Sequence, residues 1–161
     1  GDMDRPSKHF SWEEVTIRGG KAGADLPRLT DAERVELRRV CACAEVIREA
    51  VDKPIRVTSG FRAGDSKQHG AGQALDIQVD GMSPRALLEL IRTLDMPFPL
   101  RQVIAESNHA ARSSLDQPMG RNGGLWVHIA VQGVSGEWAR ASRLPWQEAW
   151  GEGSDKDYSA A

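Results

Sequence analysis

Two short segments of this chain alternate as half-buried strands do, and each carries a reactive side chain opposite its apolar residues. In Ala74-Leu75-Asp76-Ile77-Gln78-Val79, the side chains of Leu75, Ile77 and Val79 share one face, so Asp76 stands on the other. In Trp126-Val127-His128-Ile129-Ala130-Val131, Val127 and Ile129 point inward, so His128 points out with Trp126 and Ala130. Two such strands in one sheet would present a carboxylate and an imidazole on the same side.

The remaining elements follow from caps and periodicity. Ser11 and Glu14 have capping-box spacing, and Phe10 with Val15 has hydrophobic-staple spacing, so a short helical turn is expected there. Thr30 and Glu33 form a second capping box before a helix over 31–51, with Val40, Cys41, Ala44, Ile47 and Val51 on one apolar stripe. Pro54 stops it, and Ile55 to Ser59 reads as a strand. A glycine-containing loop runs over 60–72. Ser83-Pro84 opens a helix to about Leu94, with Leu87, Leu88, Ile91 and Leu94 inward. Arg101 to Ala105 is a further strand, and 106–124 a long polar loop. Short strands mixed with helices in this order give an α+β fold with a small, mainly antiparallel sheet flanked by helices. The expected layout is a flexible N-terminus over 1–9, one domain over 10–150, and a disordered tail over 151–161.

Composition limits the classes of function. Lys and Arg total 21 against 23 Asp and Glu, a net charge of −2 that gives no phosphate-neutralising excess for nucleic acid. No apolar run approaches the roughly 20 residues of a membrane span. The opening Gly1-Asp2-Met3-Asp4-Arg5-Pro6 lacks a signal-peptide layout, and Gly1-Asp2 reads as a cloning remnant. Cys41 and Cys43 lie two apart on a helix and face different ways, so both are expected as free thiols, buried or half-buried. A monomer is expected.

His69 precedes Asp76 by seven positions. Fully extended, that stretch spans roughly 20 Å, so the two can share an ion only if the loop folds back, which Gly70 and Gly72 permit. Two imidazoles and one carboxylate make a common catalytic zinc set, with the fourth position left to water. Taken singly, such a histidine is more often a surface or structural residue, and Asp76 could cap a turn.

The combination Ser59-Gly60-Phe61-Arg62, His69-x-x-Gly72-x-Ala74-x-Asp76 and Trp126-Val127-His128-Ile129 resembles the zinc D-Ala-D-Ala carboxypeptidase family. That group includes bacterial and phage peptidoglycan peptidases, vancomycin-resistance dipeptidases and the Hedgehog signalling-domain fold. The resemblance runs from Phe10 to about Val131. It implies a Hedgehog/DD-peptidase-like fold and zinc held by His69, Asp76 and His128. It also implies Arg62 on the scissile carbonyl or a substrate carboxylate, for which a planar, many-donor cation is suited. Glu106, ending the apolar run Gln102-Val103-Ile104-Ala105, matches the branch's position for the general base.

The chain departs from the family pattern at three places. Lys67 stands where many members have serine, two before the first zinc histidine. The stretch from Arg62 to His69 is short for this branch. Leu125 occupies a position, three before the last histidine, where many members carry glutamate. Glu106 with His109 has E-x-x-H spacing, which makes His109 a rival third ligand; His128 is preferred because it sits in a clear alternating strand. Trp126 is expected beside the metal, Trp138, Trp146 and Trp150 as packing residues, and His9 at the surface.

The resemblance thus implies a zinc metallopeptidase acting on peptidoglycan stem peptides, at a terminal D-Ala-D-Ala or an internal L-Ala-D-Glu bond. A cell-envelope or phage-associated setting goes with that substrate. The alternative is a catalytically silent module that keeps the fold and binds peptidoglycan or a protein.

Overall fold

A computed structural model describes residues 4–108, 112–120, 124–133 and 150–154. Helix α1 (Asp31–Val51) starts at the expected capping box, with Thr30 Oγ1 accepting from the Glu33 amide at 3.4 Å and the Glu33 carboxylate accepting from the Thr30 amide at 2.9 Å. It ends at Asp52, which adopts a left-handed φ of 52° two residues before Pro54. Strands β1 (Arg56–Ser59) and β2 (Ala74–Gln78) follow, then α2 (Pro84–Ile91), β3 (Leu100–Ser107), β4 (Leu125–Val131) and β5 (Trp150–Ser154). Ser83 caps α2 by accepting from the Ala86 amide at 3.0 Å. Beyond Ile91 the chain tightens into a turn, so this helix stops short of Leu94.

The sheet order is β1-β2-β4-β3-β5, antiparallel throughout except for the parallel β3–β5 edge. The fold is α+β, as expected. Residues 151–154, assigned to the tail on sequence grounds, lie in β5, while 155–161, Trp138 and Trp146 lie outside the described residues.

The alternation works as a sorting device. Leu75, Ile77, Val127 and Ile129 are fully buried on one face, under α1 and α2, where each contributes roughly 1.5–3 kcal/mol of burial. Leu37, Val40, Cys41, Ala44 and Ile47 of α1 and Leu87, Leu88 and Ile91 of α2 complete that core. Both cysteines are free and buried. Burial pushes the Cys43 thiol up to about 11 and the Cys41 thiol higher still, so both stay protonated and inert.

The N-terminal stretch, expected to be flexible, and the stretch after β3, expected as a long polar loop, are both anchored. In the N-terminal stretch, Ser7 Oγ, the His9 amide and His9 Nδ1 all meet the Glu45 carboxylate of α1 at 2.6–2.7 Å, and Arg38 donates to the Arg5 carbonyl. In the stretch after β3, Leu115 and Met119 are buried, and the Met119 backbone bonds with Gly81 and Met82. Their apolar side chains tie down a stretch whose composition is otherwise polar.

Candidate metal centre

The opposite face of the sheet carries the polar set. Asp76 on β2 is the cross-strand partner of His128 on β4, and His128 is the partner of Ile104 on β3. Cross-strand partners share a face at close range, so the two alternating patterns bring carboxylate and imidazole together. His128 Nδ1 lies 3.0 Å from Asp76 Oδ1.

His69 arrives from a turn. After β1, Gly60 lies so close to the Val15 backbone that a Cβ there would overlap the Val15 carbonyl oxygen. The Phe61 amide donates to that same oxygen at 2.7 Å. The loop then closes on itself, with the Arg62 amide donating to the His69 carbonyl at 3.0 Å. Gly70 packs against the Asp65 backbone with no room for a side chain, and Gly72 has a φ of 74°. This is the reversal that the His69–Asp76 spacing requires. It leaves His69 Nε2 3.4 Å from Asp76 Oδ1, with the two imidazole centroids 5.2 Å apart.

One ligand atom from each of His69, Asp76 and His128 lies within 4.8 Å of the others. Tetrahedral zinc bonds of about 2.0–2.2 Å place ligand atoms roughly 3.4 Å apart, and the 3.4 and 3.0 Å contacts already have that scale. His69 Nδ1 donates to the Gly60 carbonyl at 2.8 Å, which turns Nε2 toward Asp76. The donor types, spacing and tautomer of His69 therefore fit a zinc ion.

Electrostatics agree. Burial opposes the charge of Asp76, but the two imidazoles outweigh it and hold the carboxyl far below its usual range. Burial also opposes charge on His69, and Asp76 more than offsets that, so its pKa is raised. For His128 burial wins; Asp76 offsets it only in part, while His69 and Arg101 add to the lowering. One carboxylate thus sits between two imidazoles whose pKa values shift in opposite directions, and its negative charge is one that a divalent cation would neutralise there.

The three groups lie in a cleft of about 1030 Å³, also lined by Arg62, Lys67, Gln68, Arg101, Gln102 and Trp126 among others. Arg62 is part-exposed; its Nη2 donates to Ser59 Oγ at 2.9 Å, and Asp65 stands 4.0 Å from Nη1. Lys67, the residue that departs from the serine of many family members, lines the same cleft.

Glu106 is placed differently. It is inside β3, not at the start of a loop, and is the cross-strand partner of Trp126. Its carboxylate is fully buried, accepts from Trp126 Nε1 at 3.3 Å, and is not among the cleft-lining residues. Trp126 does line the cleft, as expected. The rival ligand His109 lies outside the described residues.

Sequence reasoning missed Gln68 and Gln102. Gln102 Oε1 is 3.2 Å from His128 Nε2 and accepts from Gln68 Nε2 at 2.7 Å. The period-2 series 102, 104, 106 on β3 carried the signal, since Gln102 falls on the face of Glu106. A β-bulge after Leu100 lets the consecutive residues Arg101 and Gln102 both line the cleft.

Among known proteins, the family model described as Peptidase M15 matches residues 8–110, which hold Arg62, His69, Asp76 and Glu106 and stop before His128. No curated protein and no solved structure matches the chain.

Proposed function

The chain belongs to the peptidase M15 family, and from that premise we propose that it is a zinc-dependent metallopeptidase cutting peptide bonds in peptidoglycan stem peptides. The observation that carries this reading is the convergence of His69, Asp76 and His128 in a cleft with Arg62 on its wall. When bound there, zinc supplies Lewis acidity toward the scissile carbonyl and acidifies water toward neutrality. Asp76, touched by both rings, holds His69 and His128 in register. Arg62 has a planar cation half open to the cleft, suited to a substrate carboxylate and to the oxyanion that develops at the scissile carbonyl. Glu106 takes a proton from the attacking water and returns it to the leaving amine. That role requires substrate to displace the Trp126 indole that caps its carboxylate. The bond is a terminal D-Ala-D-Ala or an internal L-Ala-D-Glu bond. The protein acts as a monomer, at the cell envelope or in a phage particle.

The test is incubation with purified muropeptides followed by mass spectrometry, with and without a chelator. The expected result is a defined cleavage that disappears with chelator and in Asp76→Ala, and that Glu106→Gln loses while still holding zinc. Hydrolysis that survives both chelator and Asp76→Ala overturns the reading.

The sealed carboxylate of Glu106 favours one second reading, a silent module that holds zinc and peptidoglycan without cutting it. Zinc-loaded protein that binds muropeptides and leaves them intact selects that reading.

A further inference from the structure

We propose that Gln68 and Gln102 form an amide relay that positions His128 for the metal, an inference that rests on the metal reading above. An imidazole that gives Nδ1 to a cation keeps its proton on Nε2, which is then a donor only. The group facing His128 Nε2 must therefore be an acceptor. Gln102 Oε1 stands there at 3.2 Å.

A glutamine amide can present either end, so something must hold its oxygen toward the ring. Gln68 does this: its Nε2 donates to the same Oε1 at 2.7 Å. Gln102 Oε1 has two acceptor sites and meets two donors, which fixes the amide without strain. Gln68 is itself buried and sits in the helical turn Gln68–Ala71, where its carbonyl accepts from the Gln73 amide at 2.9 Å.

The relay also links the two ligating histidines. Gln68 is the chain neighbour of His69, and Gln102 lies on β3 beside the strand of His128. One pair of amides thus joins the turn that delivers the first imidazole to the ring of the last. His69 has its own orienting partner in the Gly60 carbonyl. With the relay, both rings are held from the side away from Asp76, as metal-binding imidazoles are elsewhere. Gln68 and Gln102 are positioning residues.

The decisive experiment is zinc competition against a chromophoric chelator on the full chain, with thermal melting of the metal-free proteins alongside. Gln102→Leu, close in size but unable to accept, is expected to bind zinc roughly 10–100-fold more weakly. Gln68→Leu is expected to weaken it in the same direction and by less, because Gln102 can still turn its oxygen to the ring. Gln102→Glu keeps an acceptor and is expected to hold zinc at least as tightly as the unaltered chain. In the cobalt-loaded protein, the visible spectrum is expected to shift in Gln102→Leu and to return toward the original in Gln102→Glu.

If Gln102→Leu melts lower yet binds zinc as tightly as the unaltered chain, the relay is merely structural and the proposal is overturned. Loss of zinc in Gln102→Glu as great as in Gln102→Leu, at equal folded fraction, overturns it too. If the unaltered chain itself fails to take zinc, the metal reading falls and the relay falls with it.

Discussion

Among the described residues, two places bring histidine and carboxylate together, and one of them has the form of a metal centre. Near the N-terminus, Glu45 of α1 accepts from Ser7 Oγ, the His9 amide and His9 Nδ1, all at 2.6–2.7 Å. In the cleft, Asp76 Oδ1 meets His69 Nε2 at 3.4 Å and His128 Nδ1 at 3.0 Å. Glu45 is half-buried on the surface of a helix, its two oxygens engaged by donors from a single segment, Ser7 and His9. Asp76 Oδ1 is approached by ring nitrogens from two separate segments, one seven positions before it and one 52 positions after it. Proximity of imidazole to carboxylate therefore does not define the site. A third donor, shared direction and a concave setting do.

The largest effect that separates the two is loss of metal. Asp76→Ala is expected to lower zinc affinity by more than the roughly 10–100-fold that losing an outer partner costs, and to end hydrolysis. Glu45→Ala is expected to leave zinc stoichiometry unchanged; metal analysis of both proteins, prepared side by side, checks the contrast. A Glu45→Ala protein that also loses zinc would break the comparison.

Gly60→Ala comes next. The new methyl group would overlap the Val15 carbonyl oxygen, and overpacking of this kind costs about 1–3 kcal/mol. Because the Gly60 carbonyl orients His69, a urea denaturation midpoint and a zinc titration are both expected to fall. Ser7→Ala sharpens the other side: it removes one hydrogen bond, costs about 0.5–1.5 kcal/mol, and leaves zinc binding as it was.

The smallest effect is a dependence on pH. Burial raises the pKa of Glu45, but hydrogen bonds from Ser7 and His9 outweigh it and hold the value below the ordinary 4.5. A carboxylate depressed on folding stabilises the protein above its unfolded pKa, and that stability is lost as pH falls through the lower, folded value. Glu45→Gln is therefore expected to melt below the unaltered chain at pH 7, by less than about 1 kcal/mol, with the difference closing in acid. A gap that persists below that window would mean that the cluster acts through packing instead of charge.

The same contrast explains what could be read from the residues alone. Asp76 and His128 were legible because alternation assigns a face, and cross-strand pairing then does the rest. His69 was legible as a requirement, since its spacing to Asp76 demanded a reversal that Gly70 and Gly72 supply. The capping boxes at Ser11 and Thr30 also formed as their spacing implied. The links that depend on contacts between distant segments were not legible. The Val15 carbonyl that pins Gly60, the α1 carboxylate that anchors His9, and the Gln68–Gln102 contact lie 45, 36 and 34 positions apart in the chain. Nor did the apolar run before Glu106 reveal that β3 continues through it and that Trp126 covers it, because register is set by the partner strand.

X-ray absorption at the zinc edge of the loaded protein tests the centre most directly. The expected shell is two imidazole nitrogens and a carboxylate oxygen at about 2.0–2.2 Å with no sulfur, one zinc per chain, and a loss of one imidazole in His128→Ala. A shell with sulfur near 2.3 Å, or one unchanged by His128→Ala, would contradict it.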